Sequence, residues 1–137
     1  MNQNHHLPSC SLLPVARRVL SIEGNALLKL SEQLGDSFDL ACEAILSCKG
    51  RVIVTGMGKS GHIAQKIAAS LTSTGIASHF LHPAEGFHGD LGILHRGDMV
   101  LAISFSGETQ EIVELIGALE NLHIPVISIT SNPESTL

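Results

Sequence analysis

The chain has 137 residues, enough for one domain, and its 44% hydrophobic and 15% charged residues are the composition of a folded globular protein. Eight basic against 13 acidic residues give a formal charge of -5 with no basic run, and aromatics are 3% with no Trp or Tyr. Both the electrostatic footprint and the stacking platforms of a nucleic-acid binder are missing, and a membrane-surface partner is disfavoured for the same reason. The opening MNQNHHLPSC has no basic region leading into an apolar stretch, and no run reaches the roughly 18 apolar residues of a membrane span, so a cytoplasmic location is expected. Cys10, Cys42 and Cys48 are odd in number and lack C-x-x-C spacing, which points to neither a disulfide framework nor a cysteine metal site.

Residues 1–10 read as a polar N-terminal segment, and residues 11–137 as one domain. Apolar residues at Val15, Val19, Ile22, Ala26, Leu27, Leu30 and Leu34 recur mainly at steps of three and four, the stripe of an amphipathic helix that Gly35 stops. Asp36 or Ser37 can cap a second helix through about Ser47, with Phe38, Ala41, Cys42 and Ile45 inward. The pattern then changes to short β-branched or apolar runs, RVIVTG, ASHFL, DMVLAIS and PVISIT. Two helical stretches lie between them, one at about 61–73 with Ile63, Ile67, Ala68 and Leu71 inward, the other at about 108–122 with Ile112, Leu115, Ile116 and Leu119 inward. Such alternation predicts parallel βαβ units, hence an α/β, three-layer, doubly wound, flavodoxin-like sheet in the order 2-1-3-4, preceded by two helices. Between the second and third strands, HPAEGFHGDLGILHRGD is too irregular for a crossover helix. The fourth strand, at 125–130, is followed only by SNPESTL, and an uncovered apolar edge strand predicts that the domain is incomplete at its C-terminus.

The first strand runs into TGMGKSGH, with glycines at 56, 58 and 61. A triphosphatase loop, G-x-x-x-x-G-K-[ST], would need a glycine where Ile53 stands in the strand. A dinucleotide fingerprint fits the glycines but wants an acid near the end of the second strand, where no carboxylate comes before Glu85; an NAD dehydrogenase would bind the dinucleotide tightly. What remains is an anion held by a glycine turn and a helix N-terminus, with Gly58 giving backbone access, Lys59 a charge and Ser60 a hydroxyl. The third strand ends in ISFSGETQEI, where Ser104, Ser106, Gly107 and Thr109 crowd the start of the next helix. In the expected strand order both turns face one crevice at the topological switch point, where open α/β sheets bind ligands. Glu108 and Glu111 fall in the first turns of that helix, three apart, on the side expected to face the crevice; either could serve only the helix dipole. His82, Glu85, His88 and Asp90 invite a metal reading, but H-x-x-E-x-x-H is not the zincin spacing and the segment is not a convincing helix.

With CKGRVIVTGMGKSGHIAQKIAASLTSTG, HPAEGFHGDLG, ISFSGETQEI and LHIPVISIT together, about residues 15–137 resemble the sugar isomerase (SIS) domain family. More narrowly they are similar to its arabinose 5-phosphate isomerases of the KpsF/GutQ type. The resemblance implies interconversion of ribulose 5-phosphate and arabinose 5-phosphate toward Kdo for lipopolysaccharide or capsule, a homotetramer with active sites shared between subunits, and no metal cofactor. It implies that Lys59, His88 and Glu111 are active-site groups. The family's domain continues with at least one further strand and helix, and most members add a pair of CBS domains. On that basis Ser60, Ser104, Ser106 and Thr109 are expected to hold the sugar phosphate with the backbone of both turns. Glu111 is the expected base or base partner. Lys59 is expected to stabilise charge on substrate oxygens, and His88 to relay protons or assist ring opening. The alternative is a non-catalytic SIS module that binds a sugar phosphate to regulate a partner; residues 1–50 show no basic helix-turn-helix face of the kind such regulators carry.

Overall fold

The computed structural model describes residues 11–86 and 90–137. Two compact units are distinguished, one reaching Asp39 and the other Leu40–Leu137. Helix α1 (Leu13–Gln33) belongs to the first. Pro14, in its first turn, suits a position whose N–H has no intrahelical partner, and the helix ends where Leu34 turns extended before Gly35. The expected stripe is present as a periodicity but not as a buried face: Val15, Val19, Ile22, Leu27 and Leu30 are all exposed. Helical period is a local property, whereas burial needs an opposing surface. Helix α2 (Asp36–Ser47) follows with Asp36 and Asp39 in its first turn, favourable to the helix dipole. Phe38, expected inward, is exposed, and the contact with the core is made further on by Ala44, Ile45 and Cys48.

The second unit is built on four parallel strands, β1 (Val52–Gly56), β2 (Ser78–Leu81), β3 (Met99–Ile103) and β4 (Val126–Ile129), in the expected order β2-β1-β3-β4. Every residue of β1 and β3 is buried, as central parallel strands covered on both faces must be. Because successive side chains point to opposite faces, these two strands supply both cores. Val52, Val54, Met99, Leu101 and Ile103 pack on one face with Ala64 and Ala68 of α3 (Gly58–Ser73). Ile53, Val100 and Ala102 pack on the other with Ile112, Leu115 and Leu119 of α5 (Gln110–Leu122), as the sequence pattern predicts for α5. The two crossover helices thus cover opposite faces, which makes the sheet doubly wound.

In α3, Ile67, Ala68 and Leu71 face the core as expected, and Ile63 does not. Ile63 is exposed, and Gly61, Ala64 and Ala68 form the buried line. The cause is close backbone approach: a Cβ on Gly61 would stand 2.8 Å from the Gly56 carbonyl oxygen, so only glycine lets the helix seat on the strand end. Gly61→Ala should therefore lower stability by about 1–3 kcal/mol, read as a lower denaturant midpoint, because neither backbone can yield without moving the helix.

Among the described residues of the irregular stretch after β2 are one helical turn, α4 (Pro83–Gly86), and a 3-10 turn at Asp90–Ile93. At the amino end of the sheet, Asp98, 3% exposed, takes hydrogen bonds from the Arg51 backbone N–H (2.8 Å) and the His95 N–H (2.9 Å). It also pairs with the Arg51 guanidinium at 2.7 Å, and that group reaches the Ile93 carbonyl. Burial pushes the Asp98 carboxyl up, but the Arg51 side chain and the two N–H donors outweigh it and hold the carboxyl below its usual range. The same carboxylate raises the Arg51 pKa. Among the described residues no helix is long and apolar enough to cross a membrane.

Candidate functional site at the carboxyl ends of the central strands

Strand register places the two ligand-type turns side by side. Gly56 pairs with Ile103, so residues 57–60 and 104–109 leave adjacent strands at the same level. This is the crevice expected at the switch point. The glycine turn is shaped by Gly58, whose φ of 53° lies in the left-handed region and whose Cβ position is open space. Met57 occupies the N-cap of α3 and makes no side-chain cap, so the first turn's N–H groups are left for another acceptor. Lys59 is exposed and Ser60 half-buried, both in that first turn.

The serine turn is organised from within. Ser104, only 2% exposed, shares a hydrogen bond with the Thr109 hydroxyl (2.9 Å) and accepts the Gly107 N–H (3.1 Å). Ser106, which is exposed, accepts the Glu108 N–H at 3.2 Å. Ser104 therefore shapes the turn, while Ser106 and Thr109 form its more accessible hydroxyl edge. Thr109 is the N-cap of α5, and Glu111 follows in the first helical turn, half-buried.

Glu108 departs from the expected arrangement. It precedes the helix instead of lying in its first turns, and its carboxylate is not shared with Glu111 on the crevice side. It accepts the Thr136 backbone N–H at 2.8 Å and the Thr136 hydroxyl at 2.7 Å. A spacing of three puts two residues on one side only inside a helix, and the helix begins two residues later.

His88 lies outside the described residues, as do Cys10, His5 and His6. Among the described residues no three His, Cys, Asp or Glu side chains gather as a metal site. His82, which the sequence offers only as part of a doubtful metal cluster, has a feature of its own. It stands just past β2, its ring meets Phe80 edge-on at 6.3 Å, and its buried Nδ1 has no hydrogen-bond partner among the described residues. A buried polar atom left this way is costly unless a ligand or water completes it. The sequence signal was its place at the carboxyl end of the strand beside the glycine turn; Thr55, hydrogen-bonded to the Leu81 carbonyl at 2.7 Å, fixes that level.

Comparison with known proteins agrees with this architecture. The chain is 49% identical over 137 residues to the arabinose 5-phosphate isomerase KdsD of Pseudomonas aeruginosa, and 48% identical over 130 residues to that of Escherichia coli K12. These matches cover 100% and 95% of the chain, which spans only 41% and 40% of those relatives' lengths. Among solved structures, Escherichia coli CFT073 c3406 in complex with arabinose 5-phosphate superposes with a TM-score of 0.77 at 35% identity, covering 92% of this chain and 69% of that one. The SIS domain model matches residues 45–137, which includes both turns and the whole sheet, and the chain belongs to the SIS domain family.

Proposed function

We propose that this chain is the sugar-phosphate-handling part of an arabinose 5-phosphate isomerase that interconverts ribulose 5-phosphate and arabinose 5-phosphate. The observation that carries the proposal is the near-50% identity to named isomerases of this kind across a segment holding both turns. The arabinose 5-phosphate complex of a structural relative adds support for the ligand class.

In this proposal the phosphate sits across the switch point, against Gly58, Ser60, Ser106, Gly107 and Thr109, with Ser104 shaping the turn from beneath. Binding there orients the distant carbons, so the energy of holding the phosphate lowers the barrier at C1 and C2. Glu111 removes the C1 proton of the ketose, Lys59 stabilises the enediolate oxygens, and the proton returns at C2 to give the aldose. His88 moves protons among the oxygens or assists ring opening. No resident cofactor is needed for this proton transfer. The protein is placed in the cytoplasm, in the supply of Kdo for lipopolysaccharide or capsule, as a homotetramer, with residues 11–44 part of the same domain as the matched segment.

A chimera tests the proposal: the Pseudomonas aeruginosa relative with its matched segment replaced by this chain, assayed with ribulose 5-phosphate. Formation of arabinose 5-phosphate at a rate near the parent's is expected. A folded chimera that binds the sugar phosphate without turning it over would instead favour a regulatory binding module.

A further inference from the structure

The serine turn is tied from outside by the residues that follow β4. The Phe105 carbonyl accepts the Ser131 N–H (3.1 Å), the Ser131 hydroxyl (2.6 Å) and the Thr130 hydroxyl (3.3 Å). The Gly107 carbonyl accepts the Leu137 N–H at 3.1 Å. Both oxygens of Glu108 are taken by the two donors of Thr136. These donations hold the Glu108 carboxyl below its usual range, the Thr136 hydroxyl first and its backbone N–H second. The segment is itself ordered: the Asn132 side chain accepts the Glu134 N–H, the Asn132 carbonyl accepts the Ser135 hydroxyl, and Leu137 packs on the α5-side core. The approach is close enough that a Cβ on Gly107, whose φ is 70°, would collide with the Ser135 side chain.

We infer that Glu108 is a positioning residue: it clamps residues 131–137 onto the serine turn and so holds the turn's hydroxyls and N–H groups in the arrangement that receives a phosphate. The turn has no sheet or helix ladder of its own between Ser104 and the start of α5, so the ties to the segment after β4 add to the internal hydrogen bonds of Ser104 and Ser106 in fixing it. Of these ties, the one at Glu108 alone is made by a carboxylate, and both its oxygens meet a single residue. The inference deepens the isomerase proposal and rests on it for the ligand's identity.

The test uses the full chain and its Glu108→Ala, Glu108→Gln and Thr136→Val variants. Inorganic phosphate and arabinose 5-phosphate are titrated, amide exchange is followed at Gly107 and Thr136, and thermal midpoints are measured. Glu108→Ala is expected to weaken both ligands by about tenfold and to speed exchange at both amides, since a charge-assisted pair of hydrogen bonds is lost. Glu108→Gln, which keeps an acceptor for the Thr136 N–H, is expected to restore most of the affinity, and Thr136→Val to fall between the two. A merely structural role would lower the thermal midpoint with ligand affinity unchanged in the folded variant. That result, or unaltered exchange in Glu108→Ala, overturns the inference. Wild-type chain that is folded, protected at both amides and blind to both ligands overturns the sugar-phosphate proposal itself, a failure distinguishable from the first.

Discussion

In the chimera, Glu111→Gln is expected to lower isomerase turnover by about a hundredfold to ten-thousandfold, with KM changed far less, because a general base is lost while the phosphate contacts stay. Glu111 sits in the first turn of α5, half-buried, two residues past Thr109. The buried face of that helix is Ile112, Leu115 and Leu119, so removing the charge at 111 leaves the core untouched. A loss of activity would then report chemistry and not unfolding, which an unchanged thermal midpoint checks. Turnover near that of the parent would eliminate Glu111 as the base.

Asp98→Ala is expected to cost about 2–3 kcal/mol of stability, measured by denaturant unfolding near neutral pH. The substitution strands the Arg51 guanidinium, the Arg51 N–H and the His95 N–H, all of which end on this one carboxylate. Arg51 is partly solvated, at 35% exposure, so water recovers part of its loss and the cost stays below that of a fully buried ion pair. The folded-state pKa of Asp98 is depressed, so its contribution is present above the unfolded carboxyl's value and disappears as the pH falls through the lower folded value. Wild-type stability should accordingly drop below about pH 4, whereas Asp98→Asn should lack that share of the drop. Parallel pH profiles for the two proteins would expose a misassigned group.

The order of elements, the strand order and the inward face of α5 were legible because each rests on a local period or on a general rule of chain handedness. In α3 the expected Ile67, Ala68 and Leu71 do pack on the sheet, and the exception is Ile63, which looks more suitable for burial than Ala64 yet is exposed. Helix rotation was set instead by the contact of Gly61 with the Gly56 carbonyl, which hydrophobicity does not encode. The stripe of α1 illustrates the converse: the period is real and the helix forms, yet its apolar residues remain exposed. At the site, the hydroxyls of the serine turn could be named from the sequence, but their division of labour could not. Only the fold shows Ser104 turned inward onto Thr109 and Gly107 while Ser106 stays exposed.

Residue type at short spacing was enough for the alternation of strands and helices, for the two glycine- and hydroxyl-rich turns, and through them for the family. Contacts across long separations belong to the tertiary structure: Asp98 with Arg51, Gly56 level with Ile103, and Glu108 with Thr136, 28 residues apart. The glutamate at 108 could be a helix-dipole partner, a crevice acid or a clasp, because a carboxylate suits all three. The choice among them waits on where the chain returns past β4, since only there do the two donors of Thr136 reach its oxygens.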